Sequence, residues 1–541
     1  MQSHMKSVVF LLTALLITQG ACRRKDKPNV LALIPEDAPV VAWMPEPKGT
    51  AAALRSFLVT FERENLGDQV KALRFEWKKQ YGVDPLDEQS LIGTGLDIEK
   101  PWALAYDKTL TTPVYFLQAK DPDKVLGFIK KLMKDGWLID APTVRGEKKI
   151  QVFSQPFGNA QIEVAAVKVT DTSVWIALGP QASSALEAWP DPKTFTGKEG
   201  APRNFQKAWK KAESDGSPAG AALRIVAKDS AQVLPKILAG KFAKDAELRA
   251  VVSVKEHRLE LFAALLGKTD LRPLFAEEKD FAPGVGLPEK PIVVARSQLN
   301  AGELYSIAVG LRLLQPLLKT VIGLDESRVE SLINLGTGAG MLAIELAPEA
   351  IKNSKARSTA ERLRTLLDAF PITAVAQLKS ADKFDAMLPA LETELKKRGL
   401  PATLDRSDKA APILRTPSLS PESEVSLSRR GNTLIYGIGP GAFASARSRV
   451  EQKKGMDRTH PIFGVLFEPM TSGAIMDVST LVQTASTLPE LIFGDQNALM
   501  KNFFGTTMKS FAHFEQAGMT LGLEGPAFQP HPVLRLWITT K

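Results

Sequence analysis

A long internal repeat constrains this chain more than any other feature. Four stretches recur in the same order at an offset of about 240–260 residues. The run Leu33-Ile34-Pro35-Glu36-Asp37-Ala38-Pro39-Val40-Val41-Ala42 matches Gly286-Leu287-Pro288-Glu289-Lys290-Pro291-Ile292-Val293-Val294-Ala295. Gly82-Val83-Asp84, leading to Ser90-Leu91-Ile92 and Gly93-Thr94-Gly95, matches Gly323-Leu324-Asp325, leading to Ser331-Leu332-Ile333 and Gly336-Thr337-Gly338. Pro113 to Lys124 matches Pro371 to Lys383, and Val174 to Pro180 matches Leu434 to Pro440. A repeat of this length predicts one folding unit built twice.

Periodicity gives the unit its elements. A strand at Val40–Trp43 is followed by helices at about Thr50–Glu64 and Asp68–Gln80, with Gly82 as stop. Strands follow at Trp102–Tyr106 and Val114–Gln118. The clearest helix comes next. Asp121 caps it, Pro122 fits its first turn, Val125, Ile129, Leu132 and Met133 form one apolar face, and Gly136 ends it. The second copy uses Ser380 as cap, Phe384, Leu388, Leu391 and Leu395 as face, and Gly399 as stop. Further strands are expected at 150–153, 162–169, 174–178, 221–225, 250–254 and 259–265, with a helix near 181–189. Strands in runs broken by helices predict an α+β fold: two duplicated halves, each an antiparallel sheet with packed helices. The expected organisation is a leader over 1–21, a basic tether over 22–30, a first repeat over 31–280 and a second over 281–541.

The first 22 residues carry a different signal. Lys6 precedes an apolar run from Val8 to Ile17, too short to span a bilayer. Gly20-Ala21-Cys22 follows, and Cys22 is the single cysteine of 541 residues. The run resembles the lipobox of bacterial lipoproteins, although Gln19 stands where that pattern usually has Leu. The resemblance implies cleavage before Cys22, acylation of its thiol and attachment to a cell-envelope membrane. Arg23, Arg24, Lys25 and Lys27 would add attraction to anionic head groups. Arg23 is not the Asp that retains enterobacterial lipoproteins at the inner membrane, so the outer membrane of a Gram-negative bacterium is the expected location. Loss of the leader removes Lys6 and no acid, which takes the net charge from +9 to +8.

The composition, 44% hydrophobic and 24% charged, suits a chain that buries a large core. The basic residues are interleaved with acids, without an arm or aromatic-basic pattern, so nucleic acid is not expected as a partner.

Candidate chemistry reduces to simpler readings. Gly336-Thr337-Gly338-Ala339-Gly340 has the look of a phosphate loop, but no helix pattern follows it, and a turn is expected. Ser380-Ala381-Asp382-Lys383 has hydrolase spacing, yet Asp121 stands in its place in the first copy, and capping explains both. His257, His460, His513 and His531 form no metal pair, and Glu277-Glu278 and Asp84 with Asp87 sit in loops. No catalytic residue, metal or cofactor is expected. One difference between the copies stands out. The polar first helices are replaced by Leu304, Ile307, Leu311, Leu314 and Leu318 among other apolar residues, which would suit a buried interface or the lining of an apolar-ligand cavity.

Ile34 to Val41 and Pro113 to Lys124 resemble the DUF3352-like bacterial envelope proteins, a resemblance that implies no activity. The expected function is a membrane-anchored, non-enzymatic binding or scaffold protein, its partners the membrane through Cys22 and other envelope proteins. The alternative is a carrier of a lipid or other apolar ligand between the halves; a hydrolase is the weakest reading.

Overall fold

A computed structural model of the chain describes, with short breaks, residues 38–106, 112–189, 221–227, 247–276, 281–302, 334–347, 368–417, 424–485, 514–524 and 531–540, together with a few single positions. The chain divides into two compact units, the first closing at Lys268 and the second running from Thr269 to Lys541.

The first unit contains ten strands among the described residues: β1 (Val40–Met44), β2 (Trp102–Tyr106), β3 (Pro113–Gln118), β4 (Thr143–Arg145), β5 (Ile150–Phe157), β6 (Ala160–Val169), β7 (Ser173–Leu178), β8 (Ala221–Ala227), β9 (Glu247–Lys255) and β10 (Arg258–Leu266). Their pairings run β4-β5-β6-β7-β3-β2-β1-β8-β9-β10, every one antiparallel. Among the described residues the helices with both ends defined are α1 (Pro47–Glu62), α2 (Glu88–Gly93), α3 (Pro122–Trp137) and α4 (Ala182–Ala188).

Local chemistry explains α3. The Lys124 amide donates to Asp121 Oδ1 at 3.1 Å, so the expected cap forms. Val125, Ile129, Leu132 and Met133 are all buried against the sheet. Each such side chain contributes about 1.5–3 kcal/mol relative to exposure. The helix runs to Trp137, one residue past the Gly136 expected to stop it. Gly82 does hold the left-handed conformation of a helix stop, with φ +74°. Across the hairpin of β6 and β7, Lys168 lies opposite Trp175, its Nζ 4.7 Å from the ring centroid. Trp175 also packs edge-on to Phe116 at 5.2 Å.

The second unit repeats the plan. Its strands are β11 (Val293–Gln298), β12 (Gly336–Ile344), β13 (Ile372–Leu378), β14 (Thr403–Asp405), β15 (Ile413–Pro417), β16 (Glu424–Arg430), β17 (Thr433–Ile438), β18 (Thr471–Asp477), β19 (Phe514–Glu524) and β20 (His531–Thr540). The pairings run β14-β15-β16-β17-β13-β12-β11-β18-β19-β20, again all antiparallel. This is the order of the first unit, strand for strand. Its helices are α5 (Ala381–Lys397), α6 (Ala442–Glu451) and α7 (Val478–Ala485). The fold is α+β, each unit an antiparallel sheet with helices packed on it. In α5 the Lys383 amide donates to Ser380 Oγ at 3.3 Å, the bond that Asp121 accepts in α3. Gly399 ends this region in the left-handed conformation.

The expected strands of the first unit are present within a few residues of their expected bounds, and the helices expected at about Thr50–Glu64, from Asp121 to Gly136 and near 181–189 correspond to α1, α3 and α4; the helix expected at about Asp68–Gln80 falls on residues that are described only in part. The Gly336–Gly340 run is a correction: it is the start of β12, not a turn. Its pairing with β13 carries a bulge, in which Thr337, Gly338 and Ala339 stand opposite Gln377 alone. Thr337 makes the bulge possible. Its Oγ1 accepts from the Ala339 amide at 3.1 Å and donates to Gln377 Oε1 at 3.3 Å. Gly338 has φ +103°, and a Cβ there would lie 1.8 Å from the Leu299 carbonyl oxygen. Glycine is therefore required at this position.

Candidate functional site

The second unit has a half-open cavity of about 400 Å³ between its sheet and α5. Strand register builds the floor. Ser297 on β11 pairs with Gly340 on β12, Gly340 with Ala376 on β13, and Ala376 with Leu434 on β17. Directly opposed residues share one face of an antiparallel sheet. These four therefore form a single row across four strands, about 14 Å long at the usual spacing of about 4.8 Å per strand. The roof is one stripe of α5: Phe384, Met387 and Leu391. That stripe covers about 10 Å along the helix axis.

The roof is held from outside the cavity. Arg429 on β16 makes a two-pronged ion pair with Asp385 on α5, with Nε to Oδ1 at 2.7 Å and Nη2 on Oδ2. The Asp385 hydrogen bond raises the Arg429 pKa above its ordinary value. Among the described residues the wall carries two polar side chains, Ser297 and Gln377, and no ionisable one.

The first unit shows why the cavity exists. Gly179-Pro180 aligned on Gly439-Pro440 and the strand registers followed across each sheet make Met44, Trp102, Leu117 and Val174 the counterparts of Ser297, Gly340, Ala376 and Leu434. The first-unit row is packed solid: Met44, Trp102 and Val174 are 0% exposed and Leu117 is 5% exposed. All four belong to one core cluster with the α3 face. In the second unit a thioether, an indole and an isobutyl group have become a hydroxymethyl group, a hydrogen and a methyl group. All four residues of that row are only half-buried.

The residues singled out in the sequence fall as follows. Cys22 and the candidate lining Leu304, Ile307, Leu311, Leu314 and Leu318 lie outside the described residues. Ala301 and Leu335, both on the cavity wall, flank that undescribed stretch. The Gly336–Gly340 run lies in the wall as bare backbone. Ser380 is a helix cap. Asp84 accepts a two-pronged ion pair from Arg74, at 3.0 Å and 2.7 Å, and Asp87 caps α2. His257 is exposed in the turn between β9 and β10. His460 Nδ1 accepts from the Ile462 and Phe463 amides at 3.2 Å and 3.4 Å. Sequence reasoning missed Ser297, Ala376 and Leu434. The signal lay in the differences between aligned copies rather than in the matches.

No family model matches the chain, and no curated protein matches it. Similarity to solved structures covers part of it, two crystal forms of TP0453 among them. Crystal form I of TP0453 is 12% identical, with a TM-score of 0.25, over 46% of this chain and 82% of that one. Crystal form III is 10% identical, with a TM-score of 0.23, over 46% and 83%. Among the described residues no helix is long and apolar enough to cross a membrane.

Proposed function

We propose that this chain is a non-enzymatic binding protein, tethered to the outer membrane of a Gram-negative envelope through acylated Cys22, whose second unit holds an apolar ligand. One observation carries the binding half of the reading: the cavity of about 400 Å³, whose described wall is apolar apart from two neutral polar side chains. Ligand sites commonly enclose about 300–1,000 Å³ with that kind of lining. A cavity with so few polar partners for water favours hydrocarbon over solvent. The lipobox-like run supports the tether.

The two halves of the reading are tested separately. Full-length chain carrying Cys22→Ser, purified without detergent, should show a co-purifying apolar mass by native mass spectrometry. A clean apo mass that also takes up no added hydrocarbon would sink the binding reading. For the tether, wild-type protein should incorporate labelled acyl chains and fractionate with membranes, and Cys22→Ser should do neither. Unlabelled wild-type protein and a membrane-bound Cys22→Ser variant would remove it.

A further inference from the structure

The cavity's shape and wall chemistry say more about the occupant than that it is apolar. We infer that the second unit takes a single unbranched hydrocarbon chain, with any charged head group left outside the wall; this rests on the apolar-ligand reading above. The floor is one cross-strand row about 14 Å long, and the roof is a single helical stripe. The space between one row of strand residues and one stripe of helix side chains is longer than it is broad, which suits an extended chain laid along the row. A fused-ring body presents a broader face than that single row and stripe cover.

Ser297 and Gln377 are the polar side chains of the described wall, and Gln377 Oε1 already accepts from Thr337. No cation among the described wall residues could hold a carboxylate or phosphate. A charged group drawn inside would lose its hydration without a partner, which costs several kcal/mol or more. The head group therefore stays at the mouth, and the chain alone is recognised.

Equivalent rows diverge at three neighbouring positions, all from large to small: Met44 to Ser297, Trp102 to Gly340, and Leu117 to Ala376. Adjacent losses on three successive strands lengthen one trough rather than scatter voids. Met387 on the roof is flexible enough to follow a chain's conformations. Ser297, Gly340 and Ala376 are thus the positions that determine what enters.

A chain of this kind could come from a membrane phospholipid or from a free fatty acid. The test uses the full chain carrying Cys22→Ser and three fluorescent probes: cis-parinaric acid, its methyl ester, and the sterol dehydroergosterol. A further arm offers phosphatidylcholine vesicles in which one acyl chain is parinaroyl. The acid and the ester should bind with closely similar affinity, and the sterol should not bind. Ala376→Leu and Ser297→Met, which restore first-unit side chains, should each weaken the chain probes by about tenfold or more. Circular dichroism melts of both variants should match the parent, and Ser297→Met, on a different strand, keeps the test alive if Ala376→Leu fails to fold. Uptake from vesicles identifies a lipid chain as the source; uptake of the free acid alone identifies a fatty acid. Sterol binding equal to that of the acid, binding of the acid without the ester, or variants that bind like the parent would each overturn the inference while leaving apolar binding intact. Failure of all probes to bind would instead remove the reading on which it rests.

Discussion

Gly340 on β12 stands at the register position that Trp102 holds on β2. One position thus carries the largest side chain in one unit and none in the other. The two sheets have the same strand order, so the difference lies in what the shared scaffold encloses. The row through Trp102 makes a core, and the row through Gly340 makes a cavity.

The contrast can be tested from the filled side. Trp102→Ala removes an indole that is fully buried and donates through Nε1 to the Asp97 carbonyl at 3.3 Å. Cavity formation at such a site costs about 3–5 kcal/mol. Urea denaturation monitored by a first-unit probe should shift by that amount. A loss below about 1 kcal/mol would mean that the first-unit row is not the packed structure described.

Gly338 and Gly340 should respond differently to alanine. Gly338→Ala places a methyl group on the Leu299 carbonyl at a positive φ. The strain should cost about 1–3 kcal/mol and lower the thermal midpoint. Gly340 has no positive φ, and its added Cβ would meet the Ala376 Cβ and the Val375 carbonyl oxygen, each at 3.1 Å, so the neighbours must give by a few tenths of an ångström rather than the ångström or more that Gly338 demands. Gly340→Ala should therefore be the milder change. Equal melts for the two variants would argue that the bulge does not depend on Gly338.

Much of the fold was legible because it is local. The α3 and α5 helices could be read from a cap, a 3.6-residue apolar stripe and a glycine, and Asp121 and Ser380 do one job with different side chains. The strands could be read from their hydrophobic runs. The Gly336–Gly340 run misled because its glycines look like a turn in isolation. It is held in the sheet by Thr337 and by the pairing of Gly336 with Leu378 and Gly340 with Ala376, contacts some 40 residues away. The cavity was the least legible feature. Ser297, Gly340, Ala376 and Leu434 are unremarkable one at a time, and only strand register makes them neighbours.

His460 should give the second unit a pH dependence. Burial lowers its pKa below the ordinary 6.5, and this outweighs the Asp477 and Asp457 carboxylates, which act to raise it. Its Nδ1 accepts two amide hydrogens, which also requires the lone pair of the neutral ring. The folded pKa lies below the unfolded one, so the unfolded chain binds more protons between the two. The contribution to stability is then complete above pH 6.5 and is lost as pH falls through the folded value. Unfolding free energies measured from about pH 8 down to about pH 5 should decline more for the parent than for His460→Asn, whose side-chain oxygen can accept in place of Nδ1. Parallel declines would assign the acid sensitivity to other groups.

Arg296 presents the sharpest stability prediction. It is 3% exposed on β11, and its guanidinium is directed at main-chain carbonyls and a side-chain amide. Nη1 donates to the Leu466 carbonyl and, at 2.8 Å, to the Glu468 carbonyl; Nη2 donates to Gln298 Oε1 at 2.9 Å. Gln298 Oε1 also accepts from the Thr471 amide at 3.1 Å, and the Gln298 amide donates to Ser472 Oγ at 2.7 Å. The guanidinium therefore pins the 3₁₀ turn at Gly464–Phe467 to two strands of the sheet. Arg296→Met fills similar space but leaves those carbonyls without a donor. Hydrogen bonds to a charged group are worth about 1.5–3 kcal/mol, and buried acceptors left unpaired add to the loss, so about 2–4 kcal/mol should disappear. Arg296→Lys keeps the charge without the fork and should recover only part of it. Hydrogen–deuterium exchange supplies the local readout: amides of Gly464–Phe467 should exchange faster in Arg296→Met, while those of β5 to β7 should not change. Unchanged exchange in the turn would show that packing of Phe463 and Leu466, rather than Arg296, holds it in place.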